Sequence, residues 1–286
     1  MNYLEFLKKS AEKNNSIVCF GLDPVLEKIP IHQGNAEEKI SNFYGKIIDA
    51  CSSEGILPGA FKPNYAFFAQ YGFPGLKALK NVCEKVKSTG VPLILDAKRG
   101  DIGKTSEAYA KEAFEFWEAD CLTVAPYMGE DSVMPFVKWC EEKDKGIYVL
   151  NRTSNSGSKD FQNLQVEGKE LFLHVSEKIV DWGKKSHGGL GAVVGATSLQ
   201  ELEQIAKFFS NSGQKIPLLI PGVGSQGGSA KEVIQVLKKT GYDLRIARIN
   251  SSSGLNYAFE TQGTKDFASA AVKALKDLNS EIGEFI

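Results

Sequence analysis

Eight times along the chain a short apolar run, rich in branched residues, gives way to a longer amphipathic stretch, and this alternation restricts the fold more than any other feature. The runs are IVCFGL (17–22), GAFKP (59–63), VPLILDA (91–97), CLTVA (121–125), GIYVLN (146–151), GAVVGA (191–196, preceded by Gly189 and Leu190), IPLLIPG (216–222) and LRIARIN (244–250). Strand, helix and crossover in series build a parallel sheet. Eight such units in 286 residues favour a closed (β/α)8 TIM barrel over an open doubly wound sheet. No linker, charge block or low-complexity segment divides the series, so a single domain over 1–286 is expected, with an extra N-terminal helix at about 2–13 covering the lower end of the barrel. Two helix starts carry signals: Ser198-Leu-Gln-Glu201 reads as a capping box, and Gly228-Ser229 opens AKEVIQVLKK.

Charge narrows the choice of partner. With 34 basic and 35 acidic side chains the net charge is −1, which gives no global field for nucleic acid or an anionic membrane surface; a small-molecule ligand is expected. The five cysteines are scattered, without a Cys-x-x-Cys pair, and read as reduced packing residues. Lys8 and Lys9 interrupt the only apolar stretch near the start, so the sequence reads as a cytoplasmic protein with no signal peptide or membrane span. His32, His174 and His187 stand far apart, with no second ligand at metal-binding spacing.

Reading each run to its C-terminal end gives Asp23, then Lys62 with Asn64, Asp96 with Lys98 and Asp101, Ser154, Gln226, and Ser251 to Ser253. In a barrel these ends converge on one face, so residues remote in sequence can share one pocket. Residues two apart on a strand point the same way, so Asp96 and Lys98 can form a close ion pair. A rim salt bridge is the plain reading of that pair; Lys62 and Asp23 at neighbouring strand ends favour a charge network instead. Loops 220–228 and 250–254, after the seventh and eighth strands, are either tight turns or a phosphate cradle of backbone amides. Tyr65, Phe67, Phe68 and Tyr71 follow Lys62 at near-helical spacing and read as core packing.

GLDP, FKPNYAFFAQYG, LDAKRGDIGKT, VLNRTSNSGS, VVGAT and PGVGSQGG, in that order over nearly the whole chain, resemble the longer branch of the orotidine 5'-phosphate decarboxylases. That resemblance implies conversion of orotidine 5'-phosphate to uridine 5'-phosphate in pyrimidine biosynthesis, with no cofactor and no metal. By position, it implies that Asp96 lies against the substrate carboxylate and that Lys98 protonates C6. It implies that Asp101 acts from the other subunit of a homodimer, accompanied by Ile102 and Thr105. Asp23, Lys62 and Asn64 match the ribose and charge-network positions, Ser154 the pyrimidine edge, and Gln226 the bridge between base and phosphate. Gly224, Ser253 and Gly254 match the phosphate loops. Carboxylates flanking Lys98 are expected to keep it protonated.

One position departs from the pattern: Ser253 stands where the family usually carries an arginine. Arg248 lies five residues back at about 3.3 Å each, roughly 16 Å down the strand, and is out of reach. Arg152 has no phosphate role in the pattern. Hydroxyls and backbone amides are therefore expected to hold the phosphate. Asp-x-Lys-x-x-Asp also occurs in related barrel enzymes that act on sugar phosphates with Mg2+, so a sugar-phosphate decarboxylase or aldolase is the nearest alternative, and a catalytically silent nucleotide-binding protein is another.

Overall fold

Parallel strands stand at all eight apolar runs: β1 (Val18–Leu22), β2 (Ala60–Pro63), β3 (Ile94–Arg99), β4 (Cys121–Val124), β5 (Gly146–Arg152), β6 (Leu190–Val194), β7 (Leu218–Ile220) and β8 (Ala247–Ser251). The computed structural model describes residues 1–224 and 227–283. Hydrogen bonding orders the strands β2-β1-β8-β7-β6-β5-β4-β3. Single parallel bridges, Phe61 to Leu93 and Asn64 to Asp96, join the two ends into a nearly closed (β/α)8 barrel.

Around the barrel run α2 (Ala36–Ser53), α3 (Tyr65–Ala69), α4 (Gly72–Ser88), α5 (Gly103–Lys111), α6 (Glu130–Lys143), α7 (Leu171–Trp182), α8 (Leu199–Asn211), α9 (Ala230–Lys239), α10 (Ser253–Asn256), α11 (Ala258–Gln262) and α12 (Phe267–Ile282). Among the described residues, no helix is long and apolar enough to cross a membrane. All five cysteines are free and buried.

Several boundaries move from their expected places. β3 starts at Ile94 and runs on to Arg99, and LRIARIN spends Leu244–Ile246 in a 3-10 turn before β8 begins. Ser229 does cap α9, accepting the Glu232 N–H, but Ser198 makes no side-chain cap bond on α8. Glu201, the expected partner in that capping box, is instead 2.8 Å from the Arg152 guanidinium. A nearly buried arginine outcompetes a neutral backbone amide for a carboxylate.

The lower end of the barrel is closed by α1 (Tyr3–Asn14), one residue later at each end than expected. Asn2 caps it by accepting the Glu5 N–H at 3.0 Å. Tyr3, 1% exposed, inserts edge-on against Tyr148 with ring centroids 6.1 Å apart. Gly146 makes room for it, since a Cβ there would sit 2.2 Å from Tyr3 Cδ1. Ser10 donates to the Gly59 carbonyl at 2.9 Å. Arg248 is fully buried here, donating to the carbonyls of Leu7, Gly59, Arg245 and Ala247. It ties α1, the residue before β2, and β8 together at the bottom of the barrel.

If Tyr3 is the plug, Tyr3→Ala leaves a cavity under the barrel and costs about 3–5 kcal/mol of unfolding free energy, the range for removing a large buried aromatic. Urea denaturation measures this; a loss below about 1 kcal/mol would show that α1 is not part of the cooperative core.

Candidate active site

A cavity of about 770 Å³ opens at the C-terminal ends of the strands. Of the residues singled out in the sequence as polar strand ends, Asp23, Lys62, Asn64, Asp96, Lys98, Ser154, Ser252 and Ser253 line it. Gly224, Gly254, Asp101, Ile102 and Thr105 do not line the cavity, and Gln226 lies outside the described residues. Asp101, Ile102 and Thr105 stand on the rim after β3, with Ile102 56% exposed. Asp101 Oδ1 accepts the Ile102 N–H at 2.8 Å.

Asp96 is the hub. Its Oδ2 accepts from Lys62 Nζ at 2.9 Å, and its Oδ1 accepts from Lys98 Nζ at 2.8 Å and from the Thr123 hydroxyl at 2.9 Å. Burial opposes its charge, but Lys62 and Lys98 outweigh that cost and hold the carboxyl well below its ordinary range. Lys62 is only 4% exposed. Burial favours its neutral form, yet Asp96 and Asp23 more than offset this and raise its pKa. The Lys98 side chain, by contrast, is half exposed toward the cavity.

The backbone reaches this arrangement by a different route from simple strand alternation. Lys98 has φ +47°, in the left-handed region that disfavours side-chain-bearing residues, and the β3–β4 register shifts between Leu95 and Arg99. Contacts of Lys98 and of Arg99 hold the distortion. The Lys98 N–H donates to Thr123 Oγ1 at 2.9 Å, so one hydroxyl on β4 serves both the lysine backbone and the aspartate it pairs with. The Arg99 guanidinium lies 4.4 Å from the Tyr65 ring centroid and 4.5 Å from that of Tyr109, and it pairs with Glu112 at 3.0 Å. Such strain persists only where neighbours over-determine it.

Two glycines of the sequence motifs allow loops to close on the cavity. A Cβ on Gly21 would lie 1.9 Å from Ser252 Oγ, and one on Gly195 would lie 2.9 Å from Ser154 Cα. The cavity also takes in residues that sequence reasoning passed over. Thr123, Thr153, Asn155, Asn250, Tyr257 and Lys28 line it, as does Phe67, expected as core packing; of that aromatic group Phe68 is the fully buried member. Asp23 Oδ1 and Asn250 Oδ1 are buried acceptors that no donor among the described residues satisfies.

Fold and site together define a barrel enzyme that holds a fixed cation beside a buried carboxylate at the open end of its strands. The orotidine 5'-phosphate decarboxylase / HUMPS family matches residues 18–279, and the chain belongs to that family. It is 38% identical to an orotidine 5'-phosphate decarboxylase of Janthinobacterium sp. (strain Marseille) over 292 residues, covering 100% of both chains. The solved structure of Leishmania donovani OMP decarboxylase is similar at 31% identity with a TM-score of 0.77, covering 99% of this chain and 100% of that one. Leishmania donovani UMP synthase aligns at 33% identity with a TM-score of 0.78, and there this chain spans 57% of the longer protein.

Linkage gives the pH behaviour of the Asp96–Lys62 pair. The carboxyl lies below its ordinary 3.8, so its contribution to stability is complete above that value and lost as pH falls below it. The ammonium lies above its ordinary 10.5, so its contribution is complete below that value and lost as pH rises past it. As far as this pair sets it, unfolding free energy is flat from about pH 5 to pH 9. Within that window Asp96→Asn strands Lys62 in the interior and costs about 3–5 kcal/mol in urea denaturation. A cost near zero would mean that Asp23 neutralises Lys62 unaided.

Proposed function

We propose that the protein decarboxylates orotidine 5'-phosphate to uridine 5'-phosphate and CO2 by charge stabilisation alone, with Lys98 at the reacting carbon. The observation that carries this reading is the Lys62–Asp96–Lys98 chain, with Asp96 as the shared acceptor and Lys98 turned into the cavity. The full-length relatives named for this activity support it.

Breaking the bond between C6 and the carboxyl carbon leaves an electron pair on C6 that the pyrimidine ring delocalises poorly. A cation already fixed beside that carbon lowers this barrier selectively, because it gains most as the negative charge develops. Lys98 then transfers a proton from Nζ to C6 and recovers one from solvent. Asp96 orients Lys98 and sets a like charge against the substrate carboxylate, a strain offset by ribose and phosphate contacts. The unsatisfied oxygens of Asp23 and Asn250 suit donation from ribose hydroxyls. Ser154, on the opposite wall, suits the pyrimidine edge. Asp101, Ile102 and Thr105, on the rim rather than in the cavity, suit contribution to a second subunit's site, which makes the working unit a homodimer. A cytoplasmic location accords with this role.

Purified protein should consume orotidine 5'-phosphate, followed by its absorbance, in the presence of a chelator, and Lys98→Ala should lower turnover by about a hundred- to a thousandfold or more. Loss of wild-type turnover on chelation would favour the Mg2+-dependent sugar-phosphate reading; nucleotide binding without turnover would favour the silent binder. For the shared site, mixing Lys98→Ala with Asp101→Ala protein should restore a fraction of the activity after verified subunit exchange. No recovery would place Asp101 in its own subunit's chemistry.

A further inference from the structure

Ser253 leaves the phosphate end without the arginine expected there, and the structure offers a replacement from the turn after another strand. Among the described residues that line the cavity, three are cations: Lys62, Lys98 and Lys28. Lys62 and Lys98 are both engaged by Asp96. Lys28 ends the 3-10 turn Leu26–Lys28 that follows β1, and β1 pairs directly with β8, the strand that leads into Ser253.

The turn is stapled over the β8 side of the cavity by two tyrosines. The Tyr257 hydroxyl accepts the Val25 N–H at 2.8 Å and donates to the Asp23 carbonyl at 3.0 Å, while Tyr71 accepts the Leu26 N–H at 3.1 Å. Tyr257 follows immediately on α10, the short helix that Ser253 begins. Lys28 Nζ lies 5.1 Å from the Tyr257 ring centroid, so it is held close to the helix that bears Ser253. Its only ion-pair partner among the described residues is Glu260 Oε2 at 3.1 Å, with both side chains more than 40% exposed. An exposed pair of this kind contributes about 0–1 kcal/mol and exchanges readily for a stronger anion. A phosphate monoester, close to dianionic near neutral pH, is such an anion.

We infer that Lys28 is the cation that binds the substrate's 5'-phosphate, leaving Glu260 to do so and taking the part that an arginine at position 253 would play. The inference rests on the decarboxylase reading for the identity of the ligand, and it deepens that reading by naming the residue that distinguishes a nucleotide from a nucleoside. A cation on the β1 turn, rather than on the β8 loop, also couples phosphate binding to the segment that carries Asp23.

The test compares uridine 5'-phosphate with uridine as ligands of wild-type protein, Lys28→Gln, Lys28→Arg and Glu260→Gln, by calorimetry and by inhibition of turnover. Lys28→Gln should weaken uridine 5'-phosphate at least tenfold, raise KM for orotidine 5'-phosphate comparably, and change uridine binding less than twofold. Lys28→Arg should retain most of the nucleotide affinity. Glu260→Gln, which frees Lys28 from its competitor, should tighten the nucleotide and leave uridine unchanged. Adding Ser253→Arg to Lys28→Gln should restore nucleotide affinity. Equal weakening of both ligands by Lys28→Gln, or weakening of neither, would overturn the assignment. Calorimetry keeps this outcome separate from failure of the decarboxylase reading, since a wild type without turnover still reports whether Lys28 senses the phosphate.

Discussion

Asp96 can remain an anion inside the barrel only because two ammonium groups and a hydroxyl meet it there. A carboxylate so buried would otherwise take up a proton. The same constraint binds its partners, since Lys62 could not stay charged at that depth without Asp96 and Asp23. Neither charge is stable alone, so the strands that carry them, β2 and β3, must meet, and they do so at the bridge between Asn64 and Asp96. Barrel closure and the charge network therefore rest on the same pair of strands.

Lys98 differs from Lys62 in being only half enclosed. It shares Asp96 but reaches the cavity, and its backbone pays for that position with a left-handed φ. The distortion is held from both sides, by Thr123 on the neighbouring strand and by Arg99 stacked between Tyr65 and Tyr109. The packing of two aromatic rings on the outside of the barrel thus sets the aim of an ammonium on the inside.

The eight strands were legible because apolar, β-branched runs carry a strong pattern. Asp23, Lys62, Asn64, Asp96 and Lys98 were legible because they end those runs, where a barrel collects polar groups. Thr123 was not, since a single threonine inside CLTV reads as an ordinary strand residue, and its role appears only once β4 lies beside β3. Lys28 carried no motif; it reaches the cavity because Tyr257, some 230 residues away, holds its turn down. The ion pair of Asp96 and Lys98 was expected for an incomplete reason, because i and i+2 alternation describes a regular strand and β3 is irregular at that point. The capping box at Ser198 failed because a local rule cannot see Arg152, which approaches from another strand and takes the glutamate.

The cavity has an apolar floor: Leu150, Val193 and Leu219 line it and pack with Tyr3 in one buried cluster inside the barrel. Among the described residues, that layer separates the cavity from the lower end of the barrel. A ligand of the decarboxylase therefore enters and leaves at the C-terminal ends of the strands, past the charged residues that line the cavity.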